Sequence, residues 1–276
     1  MPVARNGSVD LYWESTGRGP AVLLLAGQGM TMHGWWATIP VLARSFRVIA
    51  FDSRDTGRSS RVTLPYTVAQ MAEDALAVLD AAQAERAHVY GISLGGSVAQ
   101  EMALRHPGRV RALVLGASSP GGLHATLPGP LPLTFFARVG AMGPEEAEWA
   151  AVPYTYAEAT RRLHGDRIAA NIARRVTSPV GTLAYLHQAA AIAAHNTFSR
   201  LGQIAAPTLV VHGGQDVVVP PENGRLLAER IPGATLRLWP EAGHLYIIDE
   251  PRADHEVAGF LRRNSAVPGE SDTAVA

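Results

Sequence analysis

The 276-residue sequence contains no cysteine, which removes disulfides, thiolate nucleophiles, Cys-ligated zinc and iron–sulfur clusters together. Lysine is absent as well, so all 24 basic residues are arginine. Without a side-chain amine there is no Schiff-base or PLP chemistry, no Walker-type phosphate loop and no Ser-Lys dyad. Excess charge of one sign is also lacking: 24 acidic residues balance the 24 basic ones. The arginines are scattered rather than gathered in a stripe, so the electrostatic footprint of a nucleic-acid or membrane-surface binder is missing. Long apolar runs are absent too; AVLLLAG at 21–27 is far short of a membrane span. The opening MPVARNGSVD has no apolar stretch of signal-peptide length,. The expectation is a soluble cytoplasmic protein that needs no cofactor and no metal. Its partner would be a small molecule rather than nucleic acid or membrane, and a homodimer is an assembly it admits.

About half of the chain is apolar, enough for one large α/β domain. Short β-rich runs, VDLYWE at 9–14, PAVLLLAG at 20–27, FRVIAFD at 46–52 and AHVYGIS at 87–93, alternate with helical patterns. In TVAQMAEDALAVLDAA, Val68, Met71, Ala75, Leu76 and Leu79 recur on one face,. Such alternation predicts a mostly parallel central sheet flanked by helices. VRALVLGAS at 110–118 continues it, and APTLVVHGG at 206–214 and ATLRLWP at 234–240 resume it with their helices PENGRLLAERI and PRADHEVAGFLRR. Between lies a Gly/Pro-rich stretch, SPGGLHATLPGPLP, and then helical patterns such as PEEAEWAAV and VGTLAYLHQAAAIAAH without a strand. The expected organisation is a core over 1–118 and 204–263, a helical cap over 119–203 inserted between two strands, and a polar tail over 264–276 without a pattern,.

The chemistry gathers around Gly91-Ile92-Ser93-Leu94-Gly95. In a G-x-S-x-G elbow a sharp strand-to-helix turn strains the serine and exposes its hydroxyl, while the glycines let neighbouring backbone approach. A pentapeptide is weak evidence alone, but a strand precedes this one and SVAQEMALRH follows at helical spacing. A serine nucleophile needs a base, and the base an orienting carboxylate. Asp216 follows the strand TLVVH and His244 follows TLRLW. Both are expected in loops at the same C-terminal sheet edge as Ser93, where open α/β sheets bind ligands. The rival position for the acid, the loop GASSPGG after the strand at 110–116, holds no carboxylate. Two backbone N–H groups would stabilise an oxyanion, those of Leu94 and of Gln28 in AGQGMT,.

On these residues, in the order Ser, Asp, His, the chain resembles the α/β-hydrolase-fold superfamily over nearly its whole length outside the cap and tail. Where the family often has His-Gly, this sequence has Ala26-Gly27; the implied donors are backbone groups and survive that departure. FDSRDTGRSS at 51–60 is similar to the family's Asp-x-Arg-x-x-Gly-x-Ser loop, a structural support,. Its wording resembles aclacinomycin methylesterase-like hydrolases, and GISLGGSVAQEMALRHPGRVRALVL resembles 3-oxoadipate enol-lactonase-like members.

The resemblance implies a serine hydrolase for a carboxylic ester or lactone of a small, largely apolar substrate, acting through an acyl-enzyme. Ser rather than Asp at the elbow argues against dehalogenase or epoxide hydrolase chemistry. Two other readings stay open: a cofactor-free C–C bond hydrolase or polyketide- or aromatic-modifying enzyme using the same residues, and a non-catalytic ligand receptor on the same fold. The cap should set selectivity. Its apolar candidates are Leu131, Leu133, Phe135, Phe136, Trp149, Tyr154, Tyr156 and Tyr185, with Trp35 and Trp36 following the oxyanion loop.

Overall fold

The computed structural model describes residues 2–265. Eight strands form one sheet in the order β1-β2-β4-β3-β5-β6-β7-β8. They are β1 (Val3–Asn6), β2 (Val9–Thr16), β3 (Ala21–Leu25), β4 (Arg47–Phe51), β5 (Ala87–Ile92), β6 (Val110–Gly116), β7 (Thr208–Gly213) and β8 (Thr235–Trp239). β1 and β2 pair antiparallel with their neighbours, and the remaining pairs are parallel. The mostly parallel sheet read from strand-helix alternation is therefore present. β1 is the strand that the sequence reading lacked. It is four residues long, lies at the edge and buries only Ala4, too weak a pattern to register.

The sheet is covered on both faces, so its central strands are buried and largely apolar. All six residues of β5 are buried, as a parallel strand between two helical layers requires. Period-2 alternation sorts their side chains. Leu23, Leu25, Ala87 and Val89 join the core under α2 (Val68–Ala81) and α3 (Leu94–Arg105); Val22, Leu24, Tyr90 and Ile92 join the opposite core with α11 (Ala253–Arg263),. Helix α2 starts at a capping box. Thr67 Oγ1 accepts from Gln70 N at 3.2 Å and Gln70 Oε1 from Thr67 N at 2.9 Å,. Before it, the short α1 spans Thr38–Leu42.

β6 and β7 are parallel neighbours, and the chain between them is helical: α4 (Pro130–Arg138), α5 (Pro144–Thr155), α6 (Glu158–Leu163), α7 (Gly165–Arg175) and α8 (Thr182–Ala194). Where this excursion leaves and rejoins the core, Gly121 bridges Asn196 and Thr197 N donates to Pro120 O at 2.9 Å. The core closes with α9 (Glu222–Arg230), α10 (Tyr246–Asp249) and α11. The tail expected from Asn264 begins with ordered bonds: Asn264 Nδ2 donates to Phe260 O and Ser265 Oγ to Leu261 O. Its remainder, 266–276, lies outside the described residues. No helix among the described residues is long and apolar enough to cross a membrane.

Candidate active site

Ser93 sits between β5 and α3 at φ 55°, ψ −120°, a conformation that costs a non-glycine residue about 1–3 kcal/mol and persists only where its surroundings enforce it. The enforcement is visible. Ser93 N donates to Gly116 O at 2.8 Å, and Ser93 O accepts from Gly96 N and from Ser118 Oγ, each at 2.9 Å. A Cβ on Gly91 would strike the Gly95 carbonyl, and one on Gly95 would strike Leu25 O; strand, turn and helix approach too closely for side chains there.

Asp216 follows β7 and His244 follows β8, so both stand beyond the C-terminal ends of neighbouring parallel strands. They are hydrogen-bonded, His244 Nδ1 to Asp216 Oδ2 at 2.8 Å. A carboxylate only accepts, so the proton is on Nδ1 and the Nε2 lone pair is left free. Asp216 Oδ1 accepts from Val218 N and Val219 N at 2.9 and 2.8 Å. Burial opposes its ionisation, but the His244 imidazole and the hydrogen bonds from His212 and His244 outweigh burial and hold its pKa at about 2,. His212, inside β7 and not singled out by the sequence, places Nε2 2.8 Å from Val219 O and 3.4 Å from Asp216 Oδ2. Since Val219 O only accepts, His212 carries its proton on Nε2 and leans on the same carboxylate. A histidine inside a fully buried strand was the available signal, because a buried ring nitrogen needs a partner.

The loop after β3 lies directly against the elbow: a Cβ on Gly27 would stand 3.3 Å from Ser93 Cβ. The backbone N–H groups of Gln28 and Leu94 have no hydrogen-bond partner among the described residues. The Leu94 group is the first N–H of α3, where the helix dipole favours negative charge. Ser93 Oγ is likewise unbonded among the described residues; catalytic hydrogen bonds are often long before substrate arrives.

The apolar candidates divide. Phe135, Phe136 and Tyr154 form one cluster, with Phe135 stacked on Tyr154 at 4.8 Å between centroids and in edge contact with Phe136 at 5.0 Å. Trp149 is exposed. Trp35 corrects the expectation: it is 1% exposed, packs on Tyr90 of the central strand β5 at 4.9 Å and belongs to the core, because the short turn Met32–Trp35 folds its ring inward. Trp36 ties core to cap instead, donating from Nε1 to Asn171 Oδ1 at 2.8 Å under the Arg174 guanidinium. Asn171 in turn donates to Tyr156 Oη at 2.8 Å.

In the Arg-Asp loop, Arg54 grips Asp74 through two bonds of 2.6 and 2.7 Å, while Asp55 Oδ2 faces His187 Nδ1 of α8 at 3.0 Å. Sequence reading also missed Asp249, whose Oδ2 accepts from Gly243 N at 2.7 Å and Ala157 N at 3.0 Å, joining the His244 loop to the cap. Leu245 N donates to Thr155 O at 2.9 Å across the same junction. Among the described residues no group of three acidic or histidine side chains is disposed to hold a metal.

A family model described as alpha/beta hydrolase fold matches residues 20–251. The chain is 34% identical over 263 residues to the putative carbamate hydrolase RutD of Azorhizobium caulinodans, covering 93% of this chain and 96% of that one. It is 31% identical over 289 residues to rhodomycin D methylesterase DnrP of Streptomyces peucetius, covering 91% and 93%. The crystal structure of a hydrolase from Pseudomonas aeruginosa PA01, 32% identical, matches with a TM-score of 0.80 over 94% of this chain and 96% of that one. Fold, elbow and relatives agree, and the chain belongs to the α/β-hydrolase fold family as a hydrolytic enzyme.

Proposed function

We propose that this enzyme is a serine hydrolase that cleaves a carboxylic ester or lactone through an acyl-enzyme, with Ser93, His244 and Asp216 as its triad. His244 Nε2 takes the Ser93 hydroxyl proton as Oγ bonds to the substrate carbonyl carbon. The carbonyl oxygen becomes an oxyanion held by the N–H groups of Gln28 and Leu94. Collapse expels the alkoxide leaving group, which takes the proton from His244, and leaves the acyl group on Ser93. Water attacks with His244 as base, releasing the acid and restoring the hydroxyl. Asp216 keeps the imidazole in the tautomer that each step uses. The relatives' names, a carbamate hydrolase and a methylesterase, share a carbonyl that carries a heteroatom leaving group, which is the bond this machinery breaks. The Phe135, Phe136 and Tyr154 cluster in the cap favours a small, largely apolar acyl or ring-bearing substrate.

The observation that carries the reading is the strained Ser93 elbow facing Gly27, flanked by two backbone donors without partners. Treatment with a fluorophosphonate and peptide mass spectrometry is expected to find the adduct on Ser93 alone, and to find none in His244→Ala. A cooperatively melting wild-type protein that stays unlabelled would overturn the proposal.

A further inference from the structure

The loop that offers the Gln28 donor is fastened from the cap more than from the core. Gly29 N donates to Gln188 Oε1 of α8 at 2.9 Å, Gln28 Nε2 donates to the Tyr185 carbonyl of α8 at 3.2 Å, and the Gly29 carbonyl accepts from Arg175 Nη2 of α7 at 3.4 Å. Within the loop itself, Met30 N reaches Gly27 O at 3.2 Å. The Tyr185 ring lies 3.5 Å from where a Cβ on Gly29 would stand. Gln188 is 1% exposed, and a buried amide oxygen that lost the Gly29 N–H would bear the full desolvation penalty, so α8 and the loop are held to each other. Helix α8 is registered independently by the adjacent His187, bonded to buried Asp55. Among these groups the Gln28 backbone N–H is left without a partner, next to Ser93.

We infer that Gln188 is a positioning residue for the oxyanion hole. By holding the Gly29 N–H, the cap fixes the Gln28–Gly29 peptide plane and, through the Gln28 backbone, the adjoining plane that carries the Gln28 N–H, so seating of the cap and completion of the hole are one event. This rests on the serine-hydrolase reading above. A donor acts on the oxyanion only when preorganised toward the position that oxygen will occupy, and loss of a whole donor lowers turnover by about 10²–10³. Releasing the loop therefore lowers kcat by ~10- to 100-fold. A cap that merely walled the pocket would instead raise KM when loosened, since ground-state contacts are lost there.

The test uses Gln188→Met, which keeps the length of the side chain but lacks the amide acceptor, and Gln28→Met, which removes the bond to Tyr185 from the other side and retains the backbone N–H. Turnover of p-nitrophenyl butyrate is measured per fluorophosphonate-titrated active site, beside affinity for an alkyl trifluoromethyl ketone and for the matching alcohol. The ketone accepts Ser93 Oγ at its carbonyl carbon, the proton passes to His244 and the oxygen becomes an oxyanion. The alcohol forms no such bond. The expected result in either folded variant is a kcat and a ketone affinity reduced together by tenfold or more, with KM and alcohol affinity within about threefold of wild type. Unchanged kcat and ketone affinity, or equal losses for ketone and alcohol, would overturn the assignment to Gln188 while a labelled Ser93 leaves the serine-hydrolase reading standing. Absence of Ser93 labelling in the wild type overturns both.

Discussion

At the scale of single residues the informative atom is Asp216 Oδ2. Its 2.8 Å bond to His244 Nδ1 fixes which imidazole nitrogen has a free lone pair. In Asp216→Asn, the side-chain oxygen is retained by Val218 N and Val219 N, which turns the NH2 toward His244. That donor would force the proton onto Nε2, the nitrogen that accepts the Ser93 proton in the proposed mechanism. Turnover is expected to fall by about 10³- to 10⁴-fold with little change in melting temperature, read by an ester assay and circular dichroism; near-normal turnover would remove Asp216 from the mechanism. Because the Asp216 pKa is held at about 2, the carboxylate stays ionised in any practical assay. Asp216 should then contribute no proton to the acid limb of log kcat/KM. A limb steeper than one proton would show that the carboxylate titrates there after all.

At the scale of elements, strands and helices were legible where the code is local. The central strands β3 to β7 are buried, largely apolar runs, and α2 announces itself through a 3.6-residue stripe and a capping box. Thr67→Ala, which deletes the cap acceptor for Gln70 N, should lower stability by about 1 kcal/mol in urea denaturation without altering esterase activity. β1 escaped because an edge strand of four residues carries little hydrophobic signal. In α7 the residue that could not be read is the buried Asn171, a polar side chain that only its partners Trp36 and Tyr156 make intelligible. The candidate site divides in the same way. Ser93, Asp216 and His244 could be named because each follows directly on a recognisable strand. Gln188, Asp249 and His212 could not, since what they do depends on partners brought together by packing. Asp249 is the sharpest case, a buried carboxyl whose pKa burial raises although it accepts from Gly243 and Ala157. Asp249→Ala would leave both N–H groups unpaired between the His244 loop and the cap, at roughly 2–4 kcal/mol for the two. The expected result is a lower melting temperature and a larger proportional loss of kcat than of Ser93-independent ligand binding.

At the scale of the whole molecule, the two-sided sheet buries ionisable groups whose protonation couples the fold to pH. His88, on β5, and His195, where the cap rejoins the core, are both buried. Burial, reinforced by nearby arginines, holds each imidazole pKa down to about 4, for His195 in spite of Glu101. In the unfolded chain both return to about 6.5. Between pH 6.5 and 4 the unfolded state therefore binds more protons than the folded one, so stability falls as pH falls through that window and levels off below it, by roughly 3 kcal/mol for each ring at most. Asp254 opposes this. It is buried, bonded to Thr38 at 2.7 Å and Tyr90 at 3.2 Å, and burial raises its pKa to about 6 despite those bonds. Its folded form holds a proton that the unfolded carboxyl releases above about 4, so its contribution declines as pH rises from 4 to 6 and partly offsets the histidines. Asp249, whose pKa burial also raises, adds to that offset, so urea unfolding should show a net loss of stability between pH 7 and pH 4.5 smaller than the two histidines alone would give. Asp254→Asn, neutral in both states, should steepen that dependence, whereas His88→Gln with His195→Gln should invert it. A wild-type stability that is flat across this range, with both variants parallel to it, would show that the buried rings do not govern how the fold responds to acid.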